Sequence, residues 1–280
     1  MSEFILAAFA DEAGKAVSEQ ISAMVDNGIK YLEVRGVGEK NIVDLTIDEA
    51  KELKKQLADS GLGTWSIGSP IGKININDEF EPHIEKFKHV LELANTLEAG
   101  SIRMFSFFMP KDEDPTPYRN KVIEQLSVLT EIAKGTGVDL CHENEKGIYG
   151  DIAVRCLDIL KNVPGLKAVF DPANFVQSGQ ETLEAWDMLH DYVKYMHIKD
   201  AVLAGDVVPA GTGEGKIPQL LPLYAAQGGK ILTMEPHLFE FAGLAGLEQE
   251  GERSVVGALS FSSQRGAFDY AVDALKKIIG

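Results

Sequence analysis

The chain has 280 residues, room for one large α/β barrel and too few for two ordinary domains plus a linker, so residues 1–280 read as one domain. Hydrophobic residues make up 45% and the formal net charge is −16. The first figure excludes a disordered chain. The second, with no Lys/Arg cluster against it, excludes nucleic acid as a default partner.

In chain order, Phe4-Ile5-Leu6-Ala7-Ala8-Phe9 is a short apolar run and the first expected strand, ending in Ala10-Asp11-Glu12. Val17, Ile21, Met24 and Val25 then share one helical face, and Gly28 offers a left-handed stop. Tyr31-Leu32-Glu33-Val34-Arg35 is the second strand. Thr46-Ile47-Asp48-Glu49 has capping-box spacing and opens a helix with Ala50, Leu53 and Leu57 inward, closed at Gly61. Gly63-Thr64-Trp65-Ser66-Ile67-Gly68 is the third strand. A helix follows with Ile84, Phe87, Leu91, Ala94 and Leu97 inward, expected to stop at Gly100. Ser101-Ile102-Arg103-Met104-Phe105-Ser106-Phe107 is the fourth strand, and the next helix carries Val122, Leu126, Leu129 and Ala133 before Gly135.

Four apolar runs in the second half end abruptly in residues able to bind a metal. They are Val138-Asp139-Leu140-Cys141-His142-Glu143, Ala168-Val169-Phe170-Asp171, Tyr195-Met196-His197 and Ile231-Leu232-Thr233-Met234-Glu235. The successive spacings, Glu143 to Asp171, Asp171 to His197 and His197 to Glu235, are 28, 26 and 38 residues, near the roughly 30 of a strand–helix–strand unit. Helical segments are expected near 151–161, 182–190, 218–226 and 262–279. The rhythm is that of a (β/α)₈ TIM barrel, whose chemistry sits at the C-terminal strand ends. Residues 239–260, rich in glycine and without a clean period, read as a long loop after strand 8, placed as a lid or a contact in a homo-oligomer.

Three carboxylates and one imidazole at one level of one sheet would repel or stand unpaired without a cation. Such hard to intermediate ligands suit one divalent metal ion: Mn²⁺, Mg²⁺, Co²⁺ or Zn²⁺. Strand parity then sorts the neighbours. Cys141 points inward below Glu143, and His142 points toward the helices as a packed histidine. Cys141 and Cys156 make no disulfide framework and are expected to be reduced and buried.

His237 shares the parity of Glu235 and reaches substrate unless Pro236 breaks the alternation. Asn174 reads as a substrate hydrogen bond or a helix cap. Arg103 and Lys73 are the cations available to an anionic substrate group. Glu145 reads as a substrate contact or, preferred, a solvated loop acid, a Lys199–Asp200 pair just past strand 7 is the structural alternative for those two residues, and Asp11, Glu33 and Arg35 read as a salt-bridge belt round the barrel mouth. Gly211-Thr212-Gly213-Glu214-Gly215 lies where barrels often hold phosphate, but Glu214 would oppose an anion.

These four stretches resemble the xylose isomerase-like TIM-barrel superfamily, the sugar (phosphate) isomerase/epimerase group. The resemblance rests on His142-Glu143-Asn144, Phe170-Asp171-Pro172-Ala173-Asn174-Phe175, His197-Ile198-Lys199-Asp200 and Met234-Glu235-Pro236-His237, and spans essentially the whole chain. It implies one divalent metal on Glu143, Asp171, His197 and Glu235. It also implies a metal-dependent isomerase or epimerase of a small carbohydrate or polyol, with Glu143 and Glu235 as acid and base around an enediolate. Two departures stand out. Many epimerases place a His three residues after the strand-6 Asp, where this chain has Asn174, and an Arg soon after the strand-7 His, whereas none lies between His197 and Glu235. An inosose-type dehydratase and a non-catalytic sugar-binding barrel are the alternatives. An abasic-site endonuclease, which needs three zincs and many histidines, fits poorly with 6 His and the charge of −16. The start lacks a signal-peptide pattern and no run of about 18 apolar residues occurs, so a cytoplasmic protein with no membrane partner is expected.

Overall fold

The computed structural model describes residues 4–241 and 259–280. Each of the eight expected apolar runs contributes one barrel strand: β1 (Ile5–Ala8), β2 (Tyr31–Val34), β3 (Gly63–Gly68), β4 (Ser101–Met104), β5 (Asp139–Glu143), β6 (Lys167–Phe170), β7 (Val193–Ile198) and β8 (Ile231–Met234). All pairings round the ring are parallel, and β8 returns to β1 in the register Ile5 to Ile231 through Ala8 to Met234, which closes the sheet. The result is a single (β/α)₈ barrel.

Around it lie α1 (Val17–Asp26), α2 (Ile47–Asp59), α3 (Glu81–Thr96), α4 (Arg119–Ala133), α5 (Ala153–Asn162), the short α6 (Pro172–Gln177), α7 (Thr182–Leu189), α8 (Ile217–Ala226) and α9 (Gln264–Ile279). The capping box of α2 forms as the spacing requires: Glu49 N–H donates to Thr46 Oγ1 at 3.2 Å and Thr46 N–H donates to Glu49 Oε2 at 2.8 Å. Ala50, Leu53 and Leu57 are the buried face of this helix. Helix α3 ends earlier than Gly100. Its left-handed residue is Glu98, at φ 56°, and Ala99 N–H closes on Ala94 O.

The fourth run also leaves the sheet early. After Met104, Phe105 N–H donates to Ile71 O and Phe107 adopts φ 67°, so the tandem Phe105-Ser106-Phe107 folds inward as buried packing. After Phe170 the chain turns at once into α6, because Asp171 accepts from Asn174 N–H and Pro172 fixes the first turn. Inside the barrel Cys141, Val169 and Tyr195 pack as a layer with Trp65 and Ile231. The larger apolar core lies between strands and helices, with Met24, Phe87, Leu126, Ile159 and Phe268 all buried. Of the expected loop at 239–260, residues 242–258 lie outside the described residues, and the lid or oligomer role falls there. No helix among the described residues is long and apolar enough to cross a membrane.

Candidate metal centre

The four expected residues converge. Glu143 ends β5, Asp171 follows β6, His197 lies in β7 and Glu235 follows β8, and one ligand atom from each lies within 4.8 Å of the others. All four are buried. His197 presents Nδ1 to the group, 3.0 Å from Glu143 Oε1, 3.2 Å from Glu235 Oε2 and 4.0 Å from Asp171 Oδ2. Its other nitrogen, Nε2, lies 3.2 Å from Glu33 Oε2. A carboxylate behind an imidazole fixes the ring and leaves the opposite nitrogen for a metal. Glu33 is itself held by Tyr195, whose hydroxyl donates to Oε1 at 2.8 Å.

Two observations test whether this set suits a cation. Asp171 Oδ1 caps α6, which leaves Oδ2, buried and held among the described residues only by the Lys199 ammonium at 2.9 Å, to face the His197 nitrogen. The surroundings are also short of positive charge. Among the described residues at the centre, six buried carboxylates (Asp11, Glu12, Glu33, Glu143, Asp171 and Glu235) stand against three permanent buried cations (Arg35, Arg103 and Lys199), with the His197 imidazole as a partial answer. Buried charge of one sign is costly unless answered, so an O₃N donor set with this excess could hold a divalent ion.

The electrostatics follow. Burial raises Asp171 to about 7 against the pull of Lys199, with Glu143 and Glu235 pushing the same way as burial. Burial disfavours a charged His197, but Glu143, Glu33 and Glu235 outweigh it and hold the imidazole well above its ordinary range. Glu235 shows the reverse balance. Burial opposes ionisation, while Lys199 and His197 keep it well below the usual carboxylate range. An ion entering this set must therefore displace the His197 proton, as ligand nitrogens require.

Several neighbours differ from expectation. Lys199 does not pair with Asp200: its ammonium lies 2.9 Å from Asp171 Oδ2 and 3.1 Å from Glu235 Oε2. Asp200 instead accepts backbone N–H bonds from Gly211, Gly213 and Gly215 at 2.8–3.0 Å. The glycine-rich loop thus turns its amides on a carboxylate of the chain itself, which removes them from any phosphate. Glu145 is no solvated loop acid, since its Oε1 takes Lys73 Nζ at 2.9 Å. Lys73 also lies over the Phe105 ring at 4.4 Å, so the cation offered to an anionic substrate is already engaged.

Asn174 caps no helix. Its Nδ2 donates to Asn144 O at 2.9 Å and to Glu143 Oε1 at 3.2 Å, which steadies the glutamate. His142, 1% exposed, meets Ser106 Oγ at 2.9 Å, and burial lowers it to about 4.

The belt of Asp11, Glu33 and Arg35 is buried and reaches into the centre. Arg35 grips Asp11 through two nitrogens, and extends to Glu12 Oε1 and Glu235 Oε1 at 3.0 Å each. Burial, helped by Glu235 and Asp11, raises Glu12 to about 8 in spite of Arg35. His237 does enter this corner, its Nε2 3.3 Å from Glu12 Oε1 and its ring against Phe241. Arg103 reaches Glu143 Oε2 with Nε at 3.3 Å, while its Nη2 is buried without a hydrogen bond. Gly68 permits this approach, since a Cβ there would meet Phe9 at 2.4 Å and Arg103 Nη2 at 3.2 Å. Glu12, Glu33 and Lys199 were not assigned to the site by sequence. Parity with Arg35 and His197 was the available signal for the last two.

Residues 21–243 match the family model described as a xylose isomerase-like TIM barrel. No curated protein matches the chain. Among solved structures, a probable 3-DHS dehydratase from Bacillus anthracis aligns with a TM-score of 0.73 at 15% identity, over 98% of this chain and 99% of that one. D-psicose 3-epimerase from Clostridium cellulolyticum H10 aligns with a TM-score of 0.73 at 14% identity, over 98% and 99%. A xylose isomerase-like TIM-barrel protein from Mycobacterium smegmatis, in complex with magnesium, gives 0.67 at 17% identity over the full length of both chains. At such identities the likeness is one of fold.

Proposed function

Because the chain belongs to the xylose isomerase-like TIM-barrel family, we propose that it is a divalent-metal-dependent isomerase or epimerase of a small carbohydrate or polyol. The observation that carries this reading is the convergence of Glu143, Asp171, His197 and Glu235, one ligand atom of each lying within 4.8 Å of the others in a buried site. In this reading those four residues hold the ion. A divalent ion, when bound, supplies Lewis-acid stabilisation of negative charge on a carbonyl oxygen.

The chain's own groups handle the proton. Glu143 and Glu235 are the paired acid and base, one taking the proton next to the carbonyl and the other returning it. Glu235 is suited to accept, because Arg35 stays on its Oε1 at 3.0 Å and favours the ionised carboxylate. Arg35 and Asn174 orient the two glutamates through Glu235 Oε1 and Glu143 Oε1. Arg103, with its unbonded Nη2, is the candidate donor to a substrate oxygen, and His237 stands beside Glu12 and Glu235. The burial of every member excludes bulk water, which strengthens these interactions.

Incubating the metal-loaded protein with a panel of ketoses and polyol ketones in D₂O tests the reading. Carbon-bound deuterium, lost in Glu143→Gln and in Glu235→Gln, is the expected result. No exchange with any substrate at any metal loading would count against it. Dehydration is a second reading, favoured by the fold shared with the protein named a probable dehydratase. It starts with the same proton removal, and loss of water in the product separates the two.

A further inference from the structure

The inference concerns Lys199 and rests on the reading that the quartet holds an ion. Lys199 follows β7 and shares the parity of His197, so it projects to the same side. Its side chain is 5% exposed, and its ammonium lies 2.9 Å from Asp171 Oδ2 and 3.1 Å from Glu235 Oε2. These are the two oxygens that these carboxylates turn toward His197 Nδ1. An ion held by the quartet would draw on the same pair.

Neither carboxylate can easily serve both cations by rotating. Asp171 has its other oxygen on the N-terminus of α6, bonded by Asn174 N–H at 2.9 Å. Glu235 has its other oxygen on Arg35 Nη1 at 3.0 Å. Two positive centres would therefore sit within a few ångströms on shared ligands, where like charges repel strongly in a buried site.

We infer that Lys199 is a tethered competitor of the ion. Without metal its charge keeps Asp171 and Glu235 together. Ion binding loosens its hold on both. The lysine thus lowers the affinity of the centre and keeps the ion exchangeable.

The test uses the full chain stripped with chelator and titrated with Mn²⁺ by calorimetry. Lys199→Met and Lys199→Gln are expected to bind Mn²⁺ about tenfold or more tightly than wild type, and Lys199→Arg, which keeps the charge, within about threefold. Melting in chelator should fall for Lys199→Met, and its rise on adding Mn²⁺ should exceed that of wild type. If Lys199→Met does not fold without metal, Lys199→Gln carries the comparison. Equal or weaker affinity in the neutral variants overturns the inference and makes Lys199 a support of the centre. Failure of wild type and every variant to bind Mn²⁺, or binding unaffected by Asp171→Asn, removes the quartet reading itself.

Discussion

Single side chains decide what the barrel mouth can do, and each can be tested alone. Asp171→Asn keeps an oxygen to cap α6 but removes the buried anion. It should lower Mn²⁺ affinity by about 100-fold with little loss of helix, read by calorimetry and circular dichroism. Glu33→Gln should cost about 10- to 100-fold in the same affinity, because the imidazole loses the carboxylate behind it, with Tyr195→Phe weaker in the same direction. Glu12 gives a pH signature. Its folded pKa is raised to about 8 from 4.5, so the folded state binds the extra proton and metal-free stability falls as pH rises through that window. The loss is on the order of a few kcal/mol. Denaturant titrations of chelator-treated protein between pH 5 and 8 should show a decline that Glu12→Gln flattens. The sequence made the quartet legible because each member ends an apolar run abruptly. The partners of Lys199 and Asp200 were not legible, for another reason. Adjacent residues in a strand face opposite ways, so neighbours of opposite charge end up with partners 36 and 11 to 15 positions away.

Elements were more legible than partners, because an apolar run or a helical stripe is local while a side-chain contact is not. Helix α2 shows this best, since both its capping box and its inward face were readable from residues within one turn of each other. Thr46→Ala removes that cap and should cost about 1 kcal/mol in a urea titration. The end of α3 was not readable, because Glu98 takes a left-handed conformation that the sequence assigns to glycine. Tertiary packing of Leu97 and Ala99, both buried, holds that turn where propensity does not. The loop after β7 is pinned from within by Asp200. Asp200→Ala would orphan the amides of Gly211, Gly213 and Gly215, each bonded to a charged acceptor. A loss of about 3 kcal/mol or more is expected, with faster proteolysis near residues 209–216.

At the scale of the molecule, the excess of buried acids makes the fold and the ion interdependent. An ion at 1,000 times its Kd would add about 4 kcal/mol to stability, so chelator should lower the melting temperature and Mn²⁺ restore it. The stoichiometry should be one ion per chain by elemental analysis. Glu12, Glu235 and His237 also lie within reach of a common ion, yet Arg35 already occupies Glu12 Oε1 and Glu235 Oε1, and its grip on Asp11 leaves it no way out. The Asp200 knot bears on substrate choice. An amide-lined turn satisfied by the polypeptide's own acid has no receptor left to reward a phosphoryl ester. Esterified ketoses should therefore draw no added affinity from this turn, and any preference for them should be lost in Arg103→Met, which removes the unbonded Nη2.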